Sequence, residues 1–341
     1  MEEKVRKKAE LILGGNILVP KDFRPPFRLS RSTAGPGAGG GSIAFEFDGM
    51  RVKKSISYEK GDFELHDDNG NVSITKGGEP FIEKVRMIPV IFHSPNHAFF
   101  NLSQRCIFKC AFCTTPLLEG DATKNLTSEK IVAMIRETEK NVRIPFIAIT
   151  SGVEESVQTS LEKMVSCVKV LRREFPDKII GVEPYVDTKD QIDLLRSAGA
   201  DEFKLNREAA RKDIFEKVCP GLDHDNILKL LEYAVSVFGK GKVSSNVIFG
   251  LGETDDDIME EMERLASIGC IPGLRALRSN DMTINVLNGV LGHIVPADAE
   301  RAVRLAEEQK RIMIGHGLTT KTFRTMCFEC QCCDIVPFVD V

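Results

Sequence analysis

From His97 onward, short apolar runs alternate with stretches of 3.6-residue apolar periodicity, and this alternation narrows the possible folds more than any other feature of the chain. The runs are Ala98–Leu102, Phe146–Thr150, Ile179–Tyr185, Glu202–Leu205, Val243–Phe249 and Leu274–Leu277. Between them the periodicity predicts helices over Ser128–Thr138, Ser160–Phe175, Lys189–Ala198, Asp225–Phe238 and Asp255–Ile268, with a last one over Ala297–Ile314. Thr127-Ser128-Glu129 and Thr254-Asp255-Asp256 read as N-caps with acidic first turns, and Gly199, Gly239 and Gly269 stand where helices should stop. Six strand–helix units in series predict a parallel sheet, because such crossovers are right-handed. The pattern suits an open sheet or an incomplete barrel equally. In both, ligands belong at the C-terminal strand ends and the loops after them.

Residues 1–95 have another texture. A helix is predicted from Glu2 to about Leu13, followed by a Pro/Gly-rich stretch that ends in the loop Gly35-Pro36-Gly37-Ala38-Gly39-Gly40-Gly41. Strands are predicted at Ile43–Phe47, Arg51–Tyr58, Phe63–Leu65 and Val72–Thr75, with Asp48-Gly49 and Asn69-Gly70-Asn71 as hairpin signals. The expected organisation is a small β-rich N-terminal domain (1–95), an α/β body (96–318) and a cysteine-rich tail (319–341). The glycine loop could cradle a phosphate or be a plain connection; it lacks the Gly-Lys-Ser/Thr ending of a P-loop.

Charge excludes one class of partner. The 46 Lys+Arg against 50 Asp+Glu leave a net charge of −4, without the basic cluster that a dedicated nucleic-acid binder needs. The longest apolar runs, such as Ile88–Phe92, are too short to span a bilayer, so no membrane is expected. Met1 leads directly into Glu2-Glu3-Lys4-Val5-Arg6-Lys7-Lys8, unlike an export signal, so the expected location is the cytoplasm.

Seven of the ten cysteines fall in two tight groups, which in a reducing compartment reads as metal or catalytic chemistry. Cys167, Cys219 and Cys270 read as small buried hydrophobes. The first group, Cys106-Ile107-Phe108-Lys109-Cys110-Ala111-Phe112-Cys113, directly follows the first strand of the α/β region. Three thiolates on one loop can bind three corners of a cubane iron–sulfur cluster, which leaves the fourth iron open to a small chelator. The alternative is zinc, which wants four ligands; His93 and His97 lie on the strand-forming side of the motif.

This motif, opening a βα array, resembles that of the radical S-adenosylmethionine enzymes, and the likeness covers roughly His97–Leu318. The resemblance implies a partial (β/α)6 barrel, a 4Fe–4S cluster on Cys106, Cys110 and Cys113, and S-adenosylmethionine on the open iron beside Phe112. It also implies cleavage of the cofactor to methionine and a 5′-deoxyadenosyl radical, with an electron donor such as ferredoxin or flavodoxin. Ser151, Gly152 and Glu154 follow the second strand, where that family places groups against the methionyl amine; Glu183 on the third strand is a further candidate. Asn206-Arg207-Glu208 is similar to the Asn-x-Asp/Glu of biotin and lipoyl synthases, whose carboxylate bonds the ribose hydroxyls. Gly250-Leu251-Gly252-Glu253-Thr254 nearly matches a nucleoside-side motif of the same enzymes, and Val218-Cys219-Pro220-Gly221 echoes a Val-Arg-Pro-Gly of lipoyl synthases with Cys in place of Arg.

The second group is Cys327, Cys330, Cys332 and Cys333. Sulfur-inserting radical enzymes use an auxiliary cluster as sulfur source, and the resemblance makes this tail its candidate site. Adjacent Cys332 and Cys333 need not both reach one cluster, so a remote ligand is open. Lipoyl synthases place such cysteines before the barrel, and biotin synthases place one in the fifth strand, where this chain has Ser244. A tail site would suit archaeal two-component lipoyl synthases, with a lipoyl-carrier protein or a second radical enzyme subunit as partner. A structural zinc knot or an electron-relay cluster are the alternatives. Arg275 and Arg278 after the sixth strand could hold a carboxylate or phosphate. The function expected is thus radical chemistry, with sulfur insertion at unactivated carbon ahead of rearrangement, methylation or a non-catalytic scaffold.

Overall fold

The computed structural model describes residues 2–25, 27, 30–31, 41–120, 123–292, 294 and 297–341. The glycine loop at 35–40, weighed above as a phosphate cradle, lies outside the described residues. Helix α1 (Glu3–Leu13) is followed by β1 (Ile17–Leu18), β2 (Ser30–Arg31), β3 (Gly41–Phe47), β4 (Met50–Ser57), β5 (Phe63–Asp68), β6 (Asn71–Lys76) and β7 (Glu79–Ile88). These strands run in the order β2-β3-β4-β1-β5-β6-β7, and β7 returns to pair with β3, so the sheet closes on itself. Closure removes the exposed edges that a small sheet would otherwise present. Both two-residue hairpins have the left-handed turns their sequences demand: Asp48 and Gly49 have φ of 47° and 77°, Asn69 and Gly70 of 53° and 90°.

Strand β7 was not foreseen. Its inward residues are Ile82, Val85 and Ile88, three apart, because the β6–β7 ladder is irregular between Val72 and Thr75 and breaks the two-residue period. The two-residue β1, inserted parallel between β4 and β5, is too short to leave a pattern.

The second sheet is made of β8 (Ala98–Asn101), β9 (Phe146–Thr150), β10 (Ile179–Glu183), β11 (Glu202–Lys204), β12 (Val243–Phe249) and β13 (Ile271–Ala276). They lie in sequential order and every neighbouring pair is parallel. The connecting helices are α2 (Ser128–Glu139), α3 (Val157–Glu174), α4 (Lys189–Ala198), α5 (Lys212–Val218), α6 (His224–Phe238), α7 (Asp255–Ser267), α8 (Ile284–Leu291) and α9 (Ala299–Gly315), and α10 (Met326–Cys330) lies in the tail. The six strands and six long helices are those that periodicity predicts; α5, α8 and α10 are short and were missed. Strand β13 begins three residues earlier than expected because Pro272-Gly273 masks it, which an edge strand tolerates.

Register gives this sheet two unlike faces. Ile147, Ile149, Ile180, Val182, Phe203 and Val247 form the face under the helices. The opposite face carries Thr150 beside Glu183, Gly181 beside Glu202, Lys204 beside Ser244, Asn246 beside Gly273 and Ile248 beside Arg275. The tail fills part of that polar face. Glu202 accepts hydrogen bonds from Arg324 N (2.9 Å) and from Thr325 N (3.0 Å) and Oγ1 (2.9 Å). Gly181 makes room for it: a Cβ there would stand 2.0 Å from Thr325 Oγ1. The tail also meets the first sheet and α1. Lys53 N of β4 donates to Cys332 O (3.0 Å), and the buried Lys8 ammonium pairs with Asp340 (2.6 Å) while donating to Gln331 O (2.9 Å).

Candidate active site

A cavity of about 380 Å³ opens at the C-terminal ends of β8–β13, with β4 as one wall and the tail as its floor. Cys106, Cys110 and Cys113 line it from the loop after β8. That loop is fixed by backbone bonds: Ile107 N donates to Val153 O (2.7 Å), Ala111 N to Val218 O (2.7 Å) and Cys113 N to Cys110 O (3.0 Å). Gly152 permits its approach to the end of β9, since a Cβ there would lie 2.2 Å from Arg105 O. Burial pushes the Cys106 thiol up and that of Cys113 up to about 11. Such thiols are poor free nucleophiles, whereas a metal centre takes them as thiolates. Among the described residues no three His, Cys, Asp or Glu groups are set to hold a single metal ion. The three thiols of the triad instead line one cavity from a single loop, and three loop thiolates are the donor set of a polynuclear cluster. Its donor set therefore fits a site-differentiated 4Fe–4S cluster.

Opposite the triad stand the groups at the end of β11. Arg207 points outward into a fully buried pair with Glu261 of α7 (2.5 Å) and donates to His224 O. By alternation this turns Asn206 and Glu208 to the cavity, which both line. Asn206 Nδ2 donates to Glu183 Oε1 (3.1 Å) while its Oδ1 accepts from Asn246 N (3.2 Å). Glu208 has φ of +60°, a left-handed backbone held by pairing with Val247. Burial raises its carboxyl to about 7, against the pull of Lys204. Lys204 Nζ pairs with Glu183 (2.9 Å), so the middle of the inner face is charge-balanced.

Phe112, Ser151, Gly152 and Glu183 also line the cavity. Four candidates stand outside its wall. Glu154 faces Lys163 (3.8 Å) at a half-exposed position. Glu253 spends its carboxylate on Gly250 N (2.7 Å), Leu251 N (2.8 Å) and Arg301 (3.0 Å), so it shapes its own loop. Gly250 and Gly252 take φ of +101° and +110°, and they give that loop its turn. Cys219, read as a plain buried residue, is buried but sits within hydrogen-bonding reach of Cys110.

The tail brings Cys327, Cys330 and Cys333 to the same cavity. Cys332, the remaining member, is turned away and donates to Cys330 O (3.2 Å). Hydrogen bonding, with that to Cys332 the largest contribution, outweighs burial and holds the Cys330 thiol below its usual value. Cys327 Sγ lies 2.8 Å from Arg275 Nη2, and Arg275 also pairs with Asp334 (2.9 Å). Arg278 lines the cavity with its Nε buried and without a hydrogen-bond partner. Two histidines were underused by sequence reasoning: His93 and His97 both line the cavity, and His93 Nδ1 and His97 Nε2 are buried without partners. Burial holds His97 down to about 3, so its ring is neutral. Their placement just before the first α/β strand, in a chain with six histidines, was the available signal.

Residues 100–265 match the Radical SAM superfamily. The lipoyl synthase of Buchnera aphidicola subsp. Schizaphis graminum is 27% identical over 187 residues, which cover 53% of this chain and 56% of that one. The biotin synthase of Geotalea daltonii is 27% identical over 232 residues, covering 63% and 65%. The aligned part thus spans less than two-thirds of each of these relatives. Among solved structures, the FeFe-hydrogenase maturase HydG from Carboxydothermus hydrogenoformans superposes with a TM-score of 0.51 at 18% identity, over 64% of this chain and 52% of its own. Methylornithine synthase (PylB) gives 0.51 at 14% identity, over 65% and 69%. At these identities the likeness is one of fold. No helix among the described residues is long and apolar enough to cross a membrane.

Proposed function

We propose, from the premise that residues 100–265 are a radical SAM domain, that the chain inserts sulfur at an unactivated carbon of an acyl or similar aliphatic substrate. Cys106, Cys110 and Cys113 would hold the 4Fe–4S cluster, and the six-stranded sheet with its helices would act as a partial (β/α)6 barrel around it. When bound, the cluster and S-adenosylmethionine supply an electron and a cleavable sulfonium, giving methionine and a 5′-deoxyadenosyl radical that takes hydrogen from the substrate. The chain's own residues bind and orient. Glu208 accepts from the ribose hydroxyls, because a carboxylate can take both protons. Asn206 fixes the strand end beside it, and Ser151 and Gly152 offer backbone to the methionyl end. Phe108 against Tyr185 (4.9 Å between rings) closes one side to water.

The observation that carries the reading is that two sets of three cysteines face one cavity. A carbon radical formed between them would have a sulfur source within the same enclosure, and relatives named lipoyl synthase and biotin synthase agree with that class. An electron donor such as ferredoxin or flavodoxin is required. A lipoyl-carrier protein, or a second radical enzyme subunit, is the partner this reading names. The test is anaerobic reconstitution with iron and sulfide, then incubation with reductant, S-adenosylmethionine and an octanoylated carrier or dethiobiotin. Formation of 5′-deoxyadenosine with a thiolated product supports the proposal. Formation of 5′-deoxyadenosine with no sulfur in any product from either substrate overturns the sulfur part.

A second reading has its own support. Arg275 and Lys204 lie against Cys327, at 2.8 and 3.9 Å, and cations beside a cluster favour its reduced state. That arrangement suits an electron relay. Under it the tail would pass electrons toward the triad, and replacing its cysteines would slow turnover without abolishing it.

A further inference from the structure

The tail offers three cavity-facing thiols, one fewer than the four protein ligands of a closed iron–sulfur cluster. The loop before β8 supplies a fourth group. Asn96 Nδ2 donates to Glu329 O (2.7 Å) and Oε1 (2.9 Å), which clips this loop onto the helix carrying Cys327 and Cys330. That clip fixes the amide, so Asn96 Oδ1 must be the atom facing His97 Nδ1 at 3.2 Å. An amide oxygen only accepts, so the proton is on Nδ1. Ser94 gives the same answer: its hydroxyl donates to Asn96 Oδ1 (2.9 Å), so its lone pair accepts from His97 Nδ1 (2.9 Å). His97 Nε2 is then a bare lone pair, fully buried, with no donor to meet it. Buried acceptors are seldom left so, and a ring held at one nitrogen with the other free is how metal-ligating histidines are prepared.

Ser94 also stands within hydrogen-bonding reach of the Cys330 thiol, so one hydroxyl touches both the histidine and a tail cysteine. Charge supplies the second argument. Lys53, Arg275 and Arg278 line this end of the cavity, and the Nε atoms of both arginines lack partners. Buried cations call for an anion, and a cubane carried by three thiolates is one.

We propose that His97 Nε2 is the fourth protein ligand of an iron–sulfur cluster held by Cys327, Cys330 and Cys333. The proposal rests on the reading of the tail as a cluster site and goes beyond it in naming a closed Cys3His set, with Cys332 excluded. His93, whose Nδ1 is also unpartnered, is not a ligand; no side chain fixes its ring as the Asn96–Ser94 pair fixes that of His97.

The experiment uses the full chain with Cys106, Cys110 and Cys113 all replaced by Ala, reconstituted anaerobically with ferrous iron and sulfide, so that only the tail cluster remains. It should bind about four irons, and after reduction its pulsed EPR spectrum should show coupling to a ring nitrogen. His97→Ala and His97→Cys in that background should remove the coupling. The Ala variant should also release iron to a chelator about tenfold faster, while the Cys variant retains it. His93→Ala should keep both coupling and iron. A tail cluster without nitrogen coupling, unchanged by His97→Ala, overturns the ligand assignment and leaves the tail-cluster reading standing. Coupling that disappears in His93→Ala and survives in His97→Cys overturns it in favour of the neighbour. A folded triple variant that takes up no iron overturns both together.

Discussion

The two cysteine groups line one cavity and are built on different principles. The Cys106–Cys113 loop is held by backbone hydrogen bonds and by the close approach of Gly152, and its three thiols stand in largely apolar surroundings near Phe108 and Phe112. Its three thiols are brought together by their spacing along one loop. The tail group lies on the polar face of the sheet among Lys204, Arg275 and Asp334, and only three of its four thiols face inward. Which of its thiols reach the cavity is decided by tertiary placement. A spacing motif is therefore enough to pick out the first group, whereas only the fold shows which tail thiols reach the cavity.

The largest effect should come from breaking the first site. Cys110→Ala should abolish 5′-deoxyadenosine formation and lower iron by about four per chain, with little change in far-ultraviolet circular dichroism. Full cofactor cleavage by this variant would refute the assignment. Next is the asymmetry inside the tail. Cys333→Ala should cost the second complement of iron while Cys332→Ala keeps most of it, and both variants should still make 5′-deoxyadenosine. Equal iron loss in the two would mean that spacing, and not placement, governs this site as well.

A third substitution tests the seat on which the tail rests. Gly181→Ala introduces a Cβ 2.0 Å from Thr325 Oγ1 and should destabilise by about 1–3 kcal/mol, through overpacking. Chemical denaturation would measure the cost, and iron analysis should show loss confined to the tail. The smallest effect concerns Glu208. Its carboxyl, raised by burial to about 7, is largely protonated at pH 6 and largely ionised at pH 8. S-adenosylmethionine affinity should therefore rise across that interval. Glu208→Gln should weaken binding by about 1–3 kcal/mol at pH 8 and flatten the profile. Isothermal titration at the two pH values checks both, and an unflattened profile would assign the titration to another group. The stability of the free protein should move the opposite way. A carboxyl whose folded value lies above its unfolded 4.5 loses stability as pH rises toward 7.

What could be read in advance follows from where the determining contacts lie. The hairpins at Asp48-Gly49 and Asn69-Gly70, the capped helices at Thr127 and Thr254, and the six parallel strands are local, and local periodicity shows them. Strand β7 was lost because an irregular ladder spoils its alternation. The triad was legible because its three cysteines are neighbours in sequence. His97 was not: what prepares it is Asn96 bonded to Glu329, 233 residues away. Arg207 shows the same limit. Sequence placed it between two candidate ligands, but its buried pairing with Glu261, which turns those ligands inward, depends on how α7 packs. Glu253 is the reverse case, a motif residue whose carboxylate is consumed by its own loop.

The Lys8–Asp340 pair joins residues 332 positions apart, at opposite ends of the described chain. Synthesis from the N-terminus makes this a matter of timing. Until Asp340 emerges, the Lys8 ammonium lacks its buried carboxylate partner, so α1 should settle fully only once the tail packs on it. The Cys327–Cys333 segment should therefore become fixed only when residues 331–340 have docked on α1. Pulse-labelled hydrogen exchange should find α1 protected only together with the tail. Protection of α1 in chains halted before residue 331 would show that it closes first.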